Sequence, residues 1–337
     1  MLNFDESRFV RIQSGAVGLA DGLRAAIDKS LEAGAQNIFF LGTGGAGILM
    51  QPAVQLLAAQ SAFPVYLHPA AEIVQTGSRH MGLQSIAVIP SLSGSTREST
   101  AVLEYCKSAG ATVITLTGSA ESPLARKADY SFVNHAADDT SSESFYLQSL
   151  VIALAIMRAR REITDLDQVL AELRLLPDLM VSVKSAAEEQ ASRLAAVIAA
   201  GSYHIITGAG AVWPEALYYG MCILEEMQWI RTRPVHAADF FHGPLELVED
   251  GVSVIVFKGE DAARPLADRV EAFARRYTRA VTVLDTADYE LPGVSPAVRA
   301  LISPIVLASV LERVSAHLEV LTDHPLTTRR YYKRVEY

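Results

Sequence analysis

The sequence predicts an α/β protein built twice over: two tandem domains, each a parallel sheet flanked by helices in a flavodoxin-like, three-layer α/β/α arrangement. Three observations predict it. Short apolar runs alternate with helical stretches, the runs recur in order at an offset close to 166 residues, and several end in loops of small residues.

The elements follow in order. The helical stretch "VGLADGLRAAIDKSLEAG" (17–34) leads into "NIFFLG" (37–42), a continuous apolar run ending in Gly, as suits a strand covered on both faces. "FPVYLH" (63–68), "SIAVIP" (85–90) and "TVITLTG" (112–118) come next, with helical patterns between them. The plan then repeats. "NIFFLGTGGAG" is echoed by "YHIITGAGAVWP" near residue 205, "SIAVIPSLSGS" by "VSVIVFKGEDA" near 255, and "TVITLTGSAES" by "AVTVLDTADYE" near 282. Three matched runs in one order indicate an internal duplication. Between the copies, residues 165–201 read as helix interrupted at Pro177, with no Ser/Gly-rich linker. The halves are expected to pack as one rigid body, with an N-terminal domain over 1–180, a C-terminal domain over 181–325 and a tail over 326–337 near the active site.

The chain has 337 residues, is 50% hydrophobic and carries a net charge of −9. Such an acidic chain is not expected to bind nucleic acid or an anionic membrane through its overall field, so a phosphate must be handled locally. Its two cysteines, Cys106 and Cys222, lie far apart in apolar patterns and read as reduced core thiols; no Cys/His cluster suggests zinc. The N-terminus has no secretory core, and the longest apolar run, Leu150–Met157, is far short of the roughly 20 residues of a membrane span. The expectation is a cytoplasmic protein without membrane, metal or cofactor.

Two small-residue loops fall at carboxyl ends of strands, where an open parallel sheet binds ligands. One is "GTGGAG", which includes Gly44; it lacks the full GxGxxG spacing, and no acidic residue closes the next strand, which disfavours a nicotinamide cofactor. The other is "SLSGST", Ser91 to Thr96. Ser95 and Glu98 have capping-box spacing, so this loop is expected to run into a helix N-terminus, whose open N–H groups and dipole favour an anion. Hydroxyls of Ser91, Ser93, Ser95 and Thr96 complete such a cradle, and Gly94 permits close backbone approach. The same composition also fits an ordinary strand–turn–helix junction. The matching loop of the second copy, "FKGEDA", has lost the hydroxyls, so one half alone is expected to hold phosphate.

"LGTGGAG" followed by "SLSGST" resembles a sugar isomerase (SIS) domain, in which such a Ser/Thr loop holds a sugar phosphate. The stretch "PEALYYGMCILEEMQWIRTRPVHAADFFHGPLELVED" (214–250) is similar to the isomerase half of glucosamine-6-phosphate synthase. There a helical Glu precedes the His of an H-G-P motif by sixteen residues, the spacing of Glu226 and His242. The tail "TDHPLTTRRYYKRVEY" looks most like the deglycases that split 6-phosphofructosyl amino acids. Leu92 stands where the synthase loop has Gln, and Tyr219 where the synthase has an earlier Glu. The chain begins "MLNF" and reaches its first strand at residue 37, leaving no room for a glutaminase domain, so glutamine-dependent synthesis is not expected.

The resemblance implies an enzyme without glutaminase activity: a deglycase that opens the sugar ring, shifts a proton between C1 and C2, and releases glucose 6-phosphate and an amino acid. Glu226 is the implied proton shuttle. Helical periodicity alone does not separate it from Glu225, and either is expected to be partly desolvated. His242 is implied to open the ring and, as in the family, to reach a neighbouring subunit's site, so a homodimer or higher homo-oligomer is expected. Lys333 is the nearest match to a tail lysine that covers the site; a tail Arg or Lys that reads the amino acid's carboxylate is the other reading of this basic segment. Ser142, in the polar run Asp138–Ser144, is a candidate sugar contact. The alternatives are an amino-sugar phosphate deaminase or isomerase, and a non-catalytic sugar-phosphate sensor.

Overall fold

The computed structural model describes residues 1–332 and 334–336. The chain forms two compact units. One comprises Glu6–Asp178 with Gly293–Val298; the other comprises Met1–Asp5, Leu179–Pro292 and Arg299–Tyr337.

The N-terminal unit holds a five-stranded parallel sheet of β1 (Asn37–Gly42), β2 (Val65–Pro69), β3 (Ser85–Ser91), β4 (Thr112–Thr117) and β5 (Tyr130–Val133), in the order β2-β1-β3-β4-β5. The central strands are apolar on both faces because both are covered. Phe39, Leu41, Ala87, Ile89 and Val113 pack with Ile73, Val102, Leu103 and Cys106 from the helices Ala70–Thr76 and Arg97–Ser108. Ile38, Phe40, Ile86 and Val88, alternate along β1 and β3, are equally inaccessible on the other face.

The C-terminal unit repeats the order with β6 (His204–Gly208), β7 (Thr232–His236), β8 (Ser253–Lys258) and β9 (Val281–Asp285), arranged β7-β6-β8-β9. The equivalence of β7-β6-β8-β9 with β2-β1-β3-β4 gives the duplication its structural form, without a counterpart of β5 among the described residues. Ile205, Val254 and Val256 pack against Phe240, Ala267, Val270 and Ala274. Along the chain, the helices Leu166–Leu173 and Leu176–Ala200 come after β5 and before β6, with Pro177 tolerated in the first turn of the second.

Two short segments join units distant in sequence, each through a carboxylate. Leu2 donates its N–H to Glu188 Oε1 at 2.7 Å, and its carbonyl accepts from the buried Arg313, which also pairs with Glu188 at 2.8 Å. Burial would raise the Glu188 carboxyl, but Leu2 and Arg313 outweigh it and hold it below the usual range. Ser295 gives both its N–H and its hydroxyl to Glu172 Oε2, each at 2.8 Å.

Candidate functional site

In the N-terminal unit, β3 delivers the chain into the Ser91–Thr96 loop at its carboxyl end. Ser91 is buried, and both its carbonyl and its Oγ accept the N–H of Gly94, at 3.1 and 3.2 Å. Gly94 has φ +59, and a Cβ there would stand 2.3 Å from Ser122 Oγ and 2.7 Å from Thr117 Oγ1. Conformation and space therefore both demand glycine. Leu92 O accepts from Gly118 at 2.9 Å and Gly94 O from Leu124 at 3.2 Å, which bolts the loop to the segment after β4.

What remains unbolted is a set of donors. The backbone N–H groups of Ser95, Thr96, Arg97 and Glu98 have no acceptor among the described residues, nor do the hydroxyls of Ser93 and Ser95. The expected Ser95–Glu98 capping box does not form. The helix starts at Arg97 with Thr96 as its N-cap, which leaves Ser95 exposed outside it and Glu98 one position short of the capping-box site. The Thr96 hydroxyl turns to Ser99 Oγ at 2.6 Å, so no side chain fills the helix end.

Beside this loop lies a small recess lined by Leu92, Thr117, Asn134, Ser141, Ser144 and Gln148 among others. The helix Ser141–Ala159 supplies three of these at spacings of three and four, hence from one face. Ser144 ties the recess together, accepting from Asn134 Nδ2 at 2.9 Å and contacting Gln13 Oε1 at 3.3 Å. Of these, Ser144 is marked in the sequence only as the last residue of the polar run Asp138–Ser144, and Asn134, Gln148 and Gln13 are not marked, because their convergence comes from the helix face and a chain reversal of about 130 residues. Ser142 is half-buried and turned about 100° from Ser141, outside this lining. Gly44, at φ +55, has open space around it. The "GTGGAG" loop serves packing at its ends, since a Cβ on Gly42 would lie 2.3 Å from Gly47 Cα.

In the C-terminal unit, Glu226 follows a π-helix, Tyr219–Glu225, rather than a run of regular α-helix. The i→i+5 pattern defeats a 3.6-residue comparison of the two glutamates. Glu225 is exposed and accepts from Thr232 Oγ1 at 2.6 Å, contrary to the expected partial desolvation of either residue. Glu226 is half-buried, and its Oε1 accepts from Arg329 Nε at 2.9 Å. Gly220 makes the π-turn compatible with β7, since a Cβ there would approach Pro234 to 2.5 Å. Tyr219 is fully enclosed, and burial pushes its phenol up from the ordinary value.

His242 stands exposed on a turn fixed from beneath by Phe240, which is 0% exposed, and by Phe241, whose ring meets Phe240 and Phe273 edge-on at 5.4 and 5.5 Å. Its N–H bonds to Asp239 O at 2.9 Å, Gly243 takes φ +134, and Pro244 is buried. Lys333 lies outside the described residues.

A parallel sheet with an open-donor Ser/Thr loop at one strand end, repeated in a second sheet of the same order, defines a double-SIS architecture. Residues 33–158 match the SIS domain family. Over 303 residues the chain is 30% identical to the fructosamine deglycase FrlB of Bacillus subtilis (strain 168), covering 89% of this chain and 92% of that one. It is 24% identical to the fructoselysine 6-phosphate deglycase of Escherichia coli (strain K12), covering 92% and 89%. A candidate phosphosugar isomerase from Bacillus subtilis superposes with a TM-score of 0.86 at 28% identity, covering 94% of this chain and all of its own. The chain belongs to the double-SIS family of sugar phosphate isomerases and deglycases.

Proposed function

We propose that this chain is a deglycase that cleaves a 6-phosphofructosyl amino acid into glucose 6-phosphate and a free amino acid. The observation that carries the reading is the loop Ser91–Thr96 with its unclaimed N–H groups and hydroxyls, an anion cradle that uses no lysine. Ser91 and Gly94 shape it, while the hydroxyls of Ser93 and Ser95 and the N–H of Thr96, whose own hydroxyl is taken by Ser99, face the phosphate. The family's deglycase members, similar along most of the chain, supply the reaction class.

The substrate carries its carbonyl at C2 and its amine on C1. Ring opening needs an acid at the ring oxygen and a base at the anomeric hydroxyl, roles suited to an imidazole near neutral pH, here His242. Removing a C1 proton gives an enaminol, and returning a proton to C2 gives an imine at C1. Water adds to that imine, the C1–N bond breaks, and the amine leaves. Glu226 serves both proton transfers as one carboxylate. Exposure of His242 supports its reaching the site of a second copy in a homodimer, and the enzyme works in the cytoplasm, in keeping with the absence among the described residues of any helix long and apolar enough to cross a membrane.

The test is incubation with fructoselysine 6-phosphate, fructosylglutamate 6-phosphate and glucosamine 6-phosphate. Glucose 6-phosphate from either Amadori compound is expected; turnover of glucosamine 6-phosphate alone overturns the reading. Glu226→Gln is expected to lower kcat by about 10²–10⁴ and to leave glucose 6-phosphate binding intact. An active Glu226→Gln enzyme removes that residue from the mechanism.

A further inference from the structure

We propose, resting on the deglycase reading above, that Arg329 reads the carboxylate of an amino acid joined to the sugar through its α-nitrogen, and that it exchanges Glu226 for that carboxylate when substrate binds.

Arg329 belongs to the tail, yet only 12% of its side chain is exposed. Three acceptors fix its plane: Glu226 Oε1 takes Nε at 2.9 Å, and the carbonyls of Leu326 and Thr328 take Nη1 at 2.6 and 2.9 Å. Among the described residues nothing accepts from Nη2. The Nε/Nη2 edge, one of those that can receive a carboxylate through two parallel bonds, is therefore half occupied.

The tail is held where this edge matters. Gln228 Nε2 donates to His324 O at 2.7 Å, and Thr322 Oγ1 donates to Gln228 Oε1 at 2.9 Å. Trp229, in the left-handed region at φ +59, meets the His324 ring edge-on at 4.4 Å and carries the Arg330 guanidinium over its face at 3.9 Å. Residues 226–229 and 322–330 thus form one clasp, with Arg329 set against the proton-shuttle oxygen.

The substrate's own geometry completes the inference. A carboxylate that moves protons at C1 and C2 touches that end of the sugar. In an α-linked amino acid the carboxyl carbon is three bonds from C1, a span of about 4 Å at most. A cation 2.9 Å from the shuttle oxygen is within reach of it. The incoming carboxylate competes with Glu226 Oε1 for the Nε/Nη2 edge of the guanidinium and draws Arg329 from the shuttle oxygen. An amine without a carboxylate offers no such exchange.

The test compares 6-phosphofructosylglycine with 6-phosphofructosylmethylamine, which differ by one carboxylate, using the full chain as wild type, Arg329→Gln and Arg329→Lys. Wild type is expected to prefer the glycine derivative by about 30- to 100-fold in kcat/KM. Arg329→Gln is expected to collapse that ratio toward one, with Arg329→Lys between. Thermal midpoints report whether each variant is folded. A wild type that does not discriminate, or an Arg329→Gln enzyme that keeps the full ratio, overturns the inference while the deglycase reading stands. No glucose 6-phosphate from either compound, with a wild type that releases it from fructoselysine 6-phosphate, overturns the inference alone; none from any of the three sinks the deglycase reading as well.

Discussion

The loop after β3 and the loop after β8 occupy equivalent places in two copies of one sheet order, and they treat main-chain donors in opposite ways. After β8 the chain brings its own anions. Asp261 accepts the N–H of Ala211 at 2.7 Å and that of Ala263 at 2.8 Å, and Glu260 is held by Arg299 at 2.7 and 2.8 Å. After β3 no carboxylate turns inward, and the N–H groups from Ser95 to Glu98 stay open among the described residues. A parallel sheet leads naturally to donors at its strand ends. In one loop they are satisfied internally and become structure; in the other they stay open among the described residues, as the phosphate site proposed above requires.

Gly94→Ala is expected to break the open loop most severely. It forces a Cβ 2.3 Å from Ser122 Oγ at φ +59, with strain of about 1–3 kcal/mol, and it displaces the donors, so phosphosugar affinity should fall at least about tenfold. Gly210→Ala, in the turn after β6 that packs against the closed loop, is the comparison: it has the same φ +59, and its Cβ would stand 2.3 Å from Asp261 Oδ2. It should destabilise by a similar amount and leave affinity unchanged. Equal affinity losses in isothermal titrations would dissolve the distinction between the loops.

Asp261→Ala tests the closed loop directly. Two N–H groups lose their acceptor, which should cost about 1–3 kcal/mol in urea unfolding, with KM unaltered. A neutral change would mean that water serves those donors as well as the carboxylate does.

Much of this was legible in the sequence, and the boundary has physical causes. β1, β3, β4, β6 and β8 are read as apolar runs because a strand buried on both faces has nothing else to show; β9, an edge strand in which only Leu284 is buried, is read because Val281, Val283 and Leu284 still make an apolar run. The loss of hydroxyls from the β8 loop is equally plain. β7 is not, since Arg233, Pro234 and His236 dilute an edge strand in which only Val235 is buried. β5 is short and half-exposed for the same reason. The π-turn before Glu226 breaks the periodicity on which helix reading depends, and it is sustained by the close fit of Gly220 to Pro234, a tertiary contact. The Gln13–Ser144 contact and the Arg329–Glu226 pair join residues 131 and 103 positions apart, and no local pattern marks either pairing.

Ser93→Ala and Ser95→Ala probe the open loop without disturbing its frame. Neither hydroxyl has a protein partner among the described residues, so stability should move by less than about 0.5 kcal/mol. Each should nevertheless raise KM by up to about tenfold if its hydroxyl donates to a phosphate oxygen. A stability loss with unchanged KM would reassign these serines to the scaffold.

The smallest effect is one of pH, and it belongs to the closed loop's surroundings. Asp285, at the end of β9, is paired with Arg264, which also bonds Gly259 O at 3.1 Å. Burial would raise the Asp285 carboxyl, but Arg264 and the Ala287 N–H outweigh it and hold it below the usual carboxylate range. A depressed carboxyl contributes stability that is fully present above its unfolded value, near 3.9, and is lost as pH falls through the folded one. The deficit of Arg264→Gln against wild type should therefore be constant from about pH 8 to 5 and shrink below about pH 4, as protonation of Asp285 removes from wild type what the variant already lacks. Thermal midpoints of both proteins across that range measure it. A deficit that stays constant into acid would show that Arg264 acts there by packing its stem, and that the internal charges of the closed loop are not what holds it shut.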